Sequence, residues 1–269
     1  MILSFDPASA LAWAAVAAYL LAAAVRPRTG AIFQALALAL HGVSLVARFA
    51  LEARAGQGIR FGFAPVLSLT AWLVLAVHYM ESRLLPIAGA DAGPRRVAPL
   101  IGAVALLLAQ AFPGEFVVVS YSGYAPVHWA LGIAAYGLFG VAVVHAAMLD
   151  AAERRMRRKL PARPLGPGMP LLSLERLTFH FVEAGFVVLT LAIVLGLLSA
   201  GRWQWDHKTT LSLASWATFA ALIAVRRTRG LRGRQATRWV YAGAVLMLLA
   251  YVGSRFVFEV VLQRLPAGS

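Results

Sequence analysis

Cysteine is missing from this chain of 269 residues. Its absence excludes disulfides, thiolate metal sites, thiol redox chemistry and thioether attachment of a prosthetic group. Charge is scarce: 13% of the residues are Asp, Glu, Lys or Arg, about half the share of a soluble domain. Acids are scarcer still, 11 against 25 Lys and Arg. Soluble-enzyme signatures are also lacking. There is no phosphate loop in a strand–turn–helix setting, no nucleophile elbow and no HExxH. Gly230-Leu231-Arg232-Gly233-Arg234 sits in a basic loop and resembles no nucleotide cradle, and Ser173-Leu174-Glu175-Arg176 reads as a helix start.

What is present is apolar length. The chain is 61% hydrophobic with a mean hydropathy of +0.75, which marks a polytopic membrane protein. Continuous apolar runs predict eight spans, at 8–25, 31–51, 63–80, 97–112, 124–149, 177–200, 210–225 and 239–262. The runs do not alternate, which rules out a β-barrel, so the spans are helices whose backbone polar groups are satisfied internally. The expected fold is all-α, a single membrane domain over 1–269 with no room for a large soluble domain.

Eighteen of the 25 basic residues fall in alternate loops, around Arg26, Arg83, Arg95, the 154–176 stretch and the 226–238 stretch. Basic loops face the cytoplasm, so both termini and the 201–209 loop are expected outside. The first ten residues hold Asp6 and no basic residue, the reverse of a signal peptide, so the first span is read as an uncleaved anchor. The net charge of +14 needs no nucleic acid, because topology explains it. Anionic lipid headgroups are the partner expected for the Arg cluster. The Pro- and Gly-rich stretch 161–170 reads as a stiff, irregular connector.

Candidate chemistry sits on six histidines and one loop. The loop, Arg202-Trp203-Gln204-Trp205-Asp206-His207-Lys208, joins two spans with two Trp, an acid, a His and a Lys. Aromatic rings beside an imidazole suit a flat, apolar, metal-bearing ligand such as haem. His41 lies near the middle of the second span, where a polar group is costly. It either hydrogen-bonds a neighbouring helix or acts as a ligand. His128, beside Trp129, is either an interfacial residue or a ligand. His207 is either a ligand or a polar cap beside Asp206, starting the seventh helix. His78, His145 and His180 fall toward the cytoplasmic side. Glu183 either orients His180 or pairs with a basic residue. Arg255 either pairs with Glu259 four residues on or meets an anionic group.

The stretch Trp203-Gln204-Trp205-Asp206-His207-Lys208-Thr209-Thr210, followed by Trp216, resembles the Trp-rich signature of the cytochrome c assembly family, close to W-x-W-D-P-K-E-T. The resemblance continues in 229–236 and in Leu249-Ala250-Tyr251-Val252-Gly253-Ser254-Arg255. Upstream it includes Pro126-Val127-His128-Trp129 with Tyr136, and Pro170 to Leu177. It is strongest for the compact eight-span inner-membrane branch, YpjD-like and HemX-like proteins. The family-like core would run over about 60–265, with the first two spans accessory. Two departures stand out: the Trp-rich segment is cut to its second half with His207 in place of Pro, and no His follows between Tyr251 and Ser269.

The resemblance implies a multi-pass protein of the bacterial inner membrane that assists cytochrome c assembly or haem transfer at the outer face, without bond-breaking by the chain itself. The cofactor would be haem b, held non-covalently. His128 and His41 would be the iron ligands, with His207 as a substitute second outer ligand. Trp203 and Trp205 would pack on the macrocycle, next to Asp206, and Lys208 or Arg255 would neutralise propionates. Expected partners are the bilayer, haem, and cytochrome c maturation or other inner-membrane proteins. The alternative is a non-haem scaffold or regulatory subunit of a membrane transporter or enzyme complex. A proton relay through His41 and Glu183 is a weaker third reading.

Overall fold

In a computed structural model, the structure describes residues 6–56, 58–84, 92–117, 124–158, 171–199 and 205–262. Helices α1 (Pro7–Ala24), α2 (Pro27–Ala55), α3 (Phe63–Leu84), α4 (Ala92–Ala111), α5 (Ala125–Arg157), α6 (Leu171–Ser199), α7 (His207–Arg229) and α8 (Gly233–Leu248) follow in order. The last runs on through a π-helical stretch Leu249–Gly253, the single turn Ser254–Phe256 and a second π stretch Val257–Val261. Seven of these helices, counting 233–261 as one, are long and apolar enough to cross a membrane; the fourth expected span is the shorter apolar helix Arg96–Ala111. All eight apolar runs are therefore helical, in an all-α polytopic membrane protein.

Helix ends differ from the apolar runs for a physical reason. Hydropathy stops at the first cluster of Arg, but the backbone ladder does not. Thus α5 continues through Arg154, Arg155 and Arg157, and α7 through Arg226, Arg227 and Arg229. Two short strands, β1 (Ile59–Phe61) and β2 (Glu115–Val117), were not expected. They pair antiparallel with Arg60 opposite Phe116, and Gly114 at φ 76° makes the turn into β2.

The chain divides into two compact units. The first holds α1 to α4, both strands and the chain from Arg255. Its core packs Ala12, Ala15, Tyr19, Ala37, Leu38, Leu75 and Leu106. Small residues let the helices approach closely: a Cβ on Gly102 would lie 2.6 Å from Tyr19 Cζ, and one on Gly42 would lie 2.8 Å from Trp72 Cζ2. The Trp72 indole N–H donates to the Leu38 carbonyl at 2.8 Å, and Arg48 on α2 donates to Gln110 on α4.

The second unit holds α5 to α8 and the first π stretch. Phe139, Phe179, Phe219, Val182, Leu222 and Val240 build its core. Phe139 and Phe219 stack with centroids 3.9 Å apart, in space left by Gly185 and Gly243. Cross-links tie the helices at successive depths. Asp150 on α5 accepts from Thr237 at 2.8 Å and Tyr241 at 3.1 Å, both on α8. Near the middle, Trp216 donates to Thr190 at 2.9 Å, and Ser215 donates to the Gly243 carbonyl at 2.9 Å. At the basic end, Glu183 pairs with Arg227 at 3.1 Å. The Arg226 guanidinium lies 3.5 Å over the Phe179 ring and 3.7 Å from Glu175.

Candidate functional site

His128 lies one turn into α5, where Pro126 supplies a preset start to the helix. Its Nδ1 is 2.8 Å from the Ala192 carbonyl on α6. A carbonyl oxygen only accepts, so Nδ1 carries the proton. In the neutral ring that leaves the lone pair on Nε2. Donation from one ring nitrogen to a backbone carbonyl is the arrangement that fixes tautomer and orientation in metal-ligating histidines. The ring fits because position 196 is Gly: a Cβ there would come within 3.0 Å of His128 Cε1 and 3.3 Å of Nδ1.

Lys208, in the first turn of α7, acts electrostatically on His128. Its Nζ sits 5.5 Å from the centroid of the Tyr251 ring, a cation–π geometry. Tyr251 belongs to the first π stretch, and its phenol acts electrostatically on Tyr136 of α5. Tyr136 donates in turn to the Met247 carbonyl. One end of the second unit, where α5 and α7 begin and α6 ends, thus gathers an imidazole with a fixed tautomer, a cation and two phenols.

Asp206 is the N-cap of α7; its carboxylate accepts from the Thr209 N–H at 2.7 Å. Burial pushes this carboxyl up, but the two hydrogen bonds from Thr209 and the nearby Lys208 cation outweigh it and hold it below the ordinary carboxylate range. His207 is the first helical residue and is exposed. The structure therefore gives the capping task to Asp206. Trp205 is 74% exposed, and Trp203 lies outside the described residues.

His41 is fully buried in the first unit. Its Nδ1 is 3.2 Å from the Tyr19 hydroxyl on α1, and its Nε2 is 3.0 Å from Ser68 Oγ on α3. Both ring nitrogens are engaged by hydroxyls, so α1, α2 and α3 share one polar chain. Arg255 also falls in the first unit, where it acts electrostatically on Glu259. The Glu259 carboxylate accepts from the N–H of Phe63, the first residue of α3. His180 is exposed and Glu183 pairs with Arg227. His145 is buried, donates Nδ1–H to Val141 at 3.0 Å and stacks on Phe181. Among the described residues, no group of three or more His, Asp or Glu is arranged to hold a metal ion.

Sequence reasoning singled out His128 and Lys208 but not Ala192, Gly196 or the two tyrosines as parts of one site. A carbonyl acceptor leaves no mark in a sequence. Tyr136 and Tyr251 both stand inside the stretches that carry the family resemblance, and the Gly253-Ser254 pair is a known cue for helix distortion.

The family profile described as cytochrome c assembly protein matches residues 29–262. The inner membrane protein YpjD of Escherichia coli (strain K12) is 28% identical over 243 residues, covering 87% of this chain and 88% of that protein. An uncharacterised 28.8 kDa protein of Azospirillum brasilense is 29% identical over 210 residues, 73% of this chain and 76% of that protein. The cytochrome c biogenesis protein CcsA of Prochlorococcus marinus (strain MIT 9515) is 33% identical over 90 residues, 32% of this chain and 29% of that protein. No solved structure matches the chain.

Proposed function

Because the chain belongs to the cytochrome c assembly protein family, we propose that this multi-pass inner membrane protein serves cytochrome c biogenesis by holding haem at the outer membrane face. The observation that carries the reading is the His128 tautomer. With Nδ1–H committed to the Ala192 carbonyl, Nε2 offers its lone pair, which is the donor that haem iron takes from a neutral imidazole. Haem is cargo here, bound non-covalently as haem b. It brings the iron and the redox chemistry; the chain supplies orientation, an apolar wall and charge.

Each residue then has a task. His128 ligates iron. Lys208 neutralises a propionate beside it, whereas Arg255 acts electrostatically on Glu259 in the first unit. Trp205, exposed at 74%, and Trp203 would cover the macrocycle face, and Asp206 fixes the start of α7. His207 would be a second iron ligand, since no His stands between Tyr251 and Ser269. His41 takes iron at Nε2 only by giving up Ser68, so a second haem there requires α3 to move. Orientation follows from the basic loops: α5 and α7 begin outside and both termini are outside. Partners are the bilayer and the maturation proteins that pass haem on.

The engaged state of His41 favours a second reading, a non-haem scaffold in which that residue only locks helices. An absorption spectrum separates the two. Detergent-purified protein made with ample haem is compared with His41→Ala, His128→Ala and His207→Ala. A Soret band, with α and β bands on reduction, is expected in the wild type and should be lost in His128→Ala. A colourless wild type that also takes up no added haem sinks the haem reading and leaves the scaffold.

A further inference from the structure

The first π stretch has a function to explain. An i→i+5 turn is rare, appears mostly as a single turn inside an α-helix, and is frequent at functional sites. Here side chains sustain it. The Met247 carbonyl is taken by Tyr136, and the Ala250 and Tyr251 carbonyls by Ser254 Oγ at 2.8 and 3.0 Å. The wider turn also re-aims the helix. Through α8 the buried face runs Ala236, Val240, Gly243, Met247, and an α-helix would carry it on to Ala250 and Ser254. Ala250 is buried at 2% exposure, but beyond it Val252 at 9% takes the buried place and Ser254 does not. Tyr251, between the two, lies under Lys208 and beside Tyr136.

We propose that this π turn exists to place Tyr251 as the positioning residue of a carboxylate subsite, in which its ring holds Lys208 for one propionate of a haem bound at His128. The inference rests on the haem reading of the preceding subsection. Lys is a flexible point charge on a four-carbon stem; unanchored, it recognises a carboxylate poorly because its rotamers must be frozen on binding. A cation–π contact holds the stem in advance through the face of the ring. The contact uses the face of the ring, so Phe should serve as well as Tyr, and an aliphatic residue should not.

The test titrates ferric haem and its dimethyl ester, which lacks both carboxylates, into the detergent-purified full chain, read by the Soret shift. The wild type should prefer the free acid roughly tenfold, the scale of one charge-assisted hydrogen bond. Lys208→Met should abolish the preference, with free acid and diester then binding alike. Tyr251→Leu should cut the preference to about threefold with diester affinity unchanged, while Tyr251→Phe keeps it. Tyr251→Met stands in if the Leu variant does not fold. A preference that survives in Tyr251→Leu, or an equal loss for both ligands, overturns the proposal. The haem reading fails separately, if the wild type takes up neither ligand or if His128→Ala takes up both as well as the wild type does. A readout without haem completes the test: Tyr251→Leu should lower the Tm of the wild type more than that of Lys208→Met, and equal shifts in the two backgrounds also overturn it.

Discussion

Replacing Gly196 by Ala tests the His128 site without touching a ligand. The added Cβ would stand 3.0 Å from His128 Cε1 and 3.3 Å from Nδ1. Ordinary contact begins at 3.4 Å, so the ring must yield by a few tenths of an ångström. It is not free to do so cheaply, because Nδ1 is bonded to Ala192 at 2.8 Å. Two effects oppose each other in stability. Overpacking and a weakened hydrogen bond cost about 1–2 kcal/mol, while Ala improves a helix interior by about 0.5–1 kcal/mol. The net change should be destabilising by about 1 kcal/mol or less. Haem affinity has no such compensation: re-aiming a ligand through its outer partner typically costs about 10–100-fold. The signature is a small Tm change with a large loss of Soret-detected affinity. In a His128→Ala background the Cβ has room, so the same substitution should become stabilising by about 0.5–1 kcal/mol. An affinity equal to wild type, or the same destabilisation in both backgrounds, refutes the argument.

Asp206→Ala removes the cap of α7 and should cost about 1 kcal/mol, measured by thermal unfolding in detergent. Because the folded carboxyl is held below its unfolded value, Asp206 adds stability that is fully present above the unfolded carboxylate range, near pH 4, and is lost as pH falls through the lower folded value. Asp206→Asn should therefore flatten the loss of Tm below about pH 4, and an unchanged acid profile counts against the cap. Asp150→Ala strands the Tyr241 hydroxyl and leaves Thr237 only the Arg234 carbonyl at 3.2 Å, and should cost about 1–3 kcal/mol. Thr237→Val in that background should then cost far less than it does alone, and additive losses in a double-mutant cycle would contradict the shared site.

Much of the fold was legible because the bilayer narrows the choices. Apolar length alone located eight helices, since no other backbone arrangement satisfies its polar groups in lipid. The extensions of α5 and α7 past their Arg clusters were missed because hydropathy reports the solvent, not the hydrogen-bond ladder. The β1–β2 pair was missed because a three-residue strand carries too little pattern to read. At the site, His128 and Lys208 stood out by residue type, whereas the cap of α7 proved to be Asp206 and not His207. The tautomer of His128 depends on a carbonyl 64 residues away, and the position of Tyr251 depends on a change of helical register. Neither has a composition or a spacing that a sequence displays. His41 was legible as a polar residue in an apolar span; its engagement at both nitrogens follows from Tyr19 and Ser68, which are 22 and 27 residues away.

That buried chain of Tyr19, His41 and Ser68 also sets an order on biogenesis. The ribosome delivers α1 first, yet the Tyr19 hydroxyl meets His41 only once α2 has been made, and His41 meets Ser68 only with α3. A polar group left without a partner in hydrocarbon is costly. The first two helices should therefore wait beside the insertion machinery and pass into lipid together with the third, as one released packet rather than one span at a time.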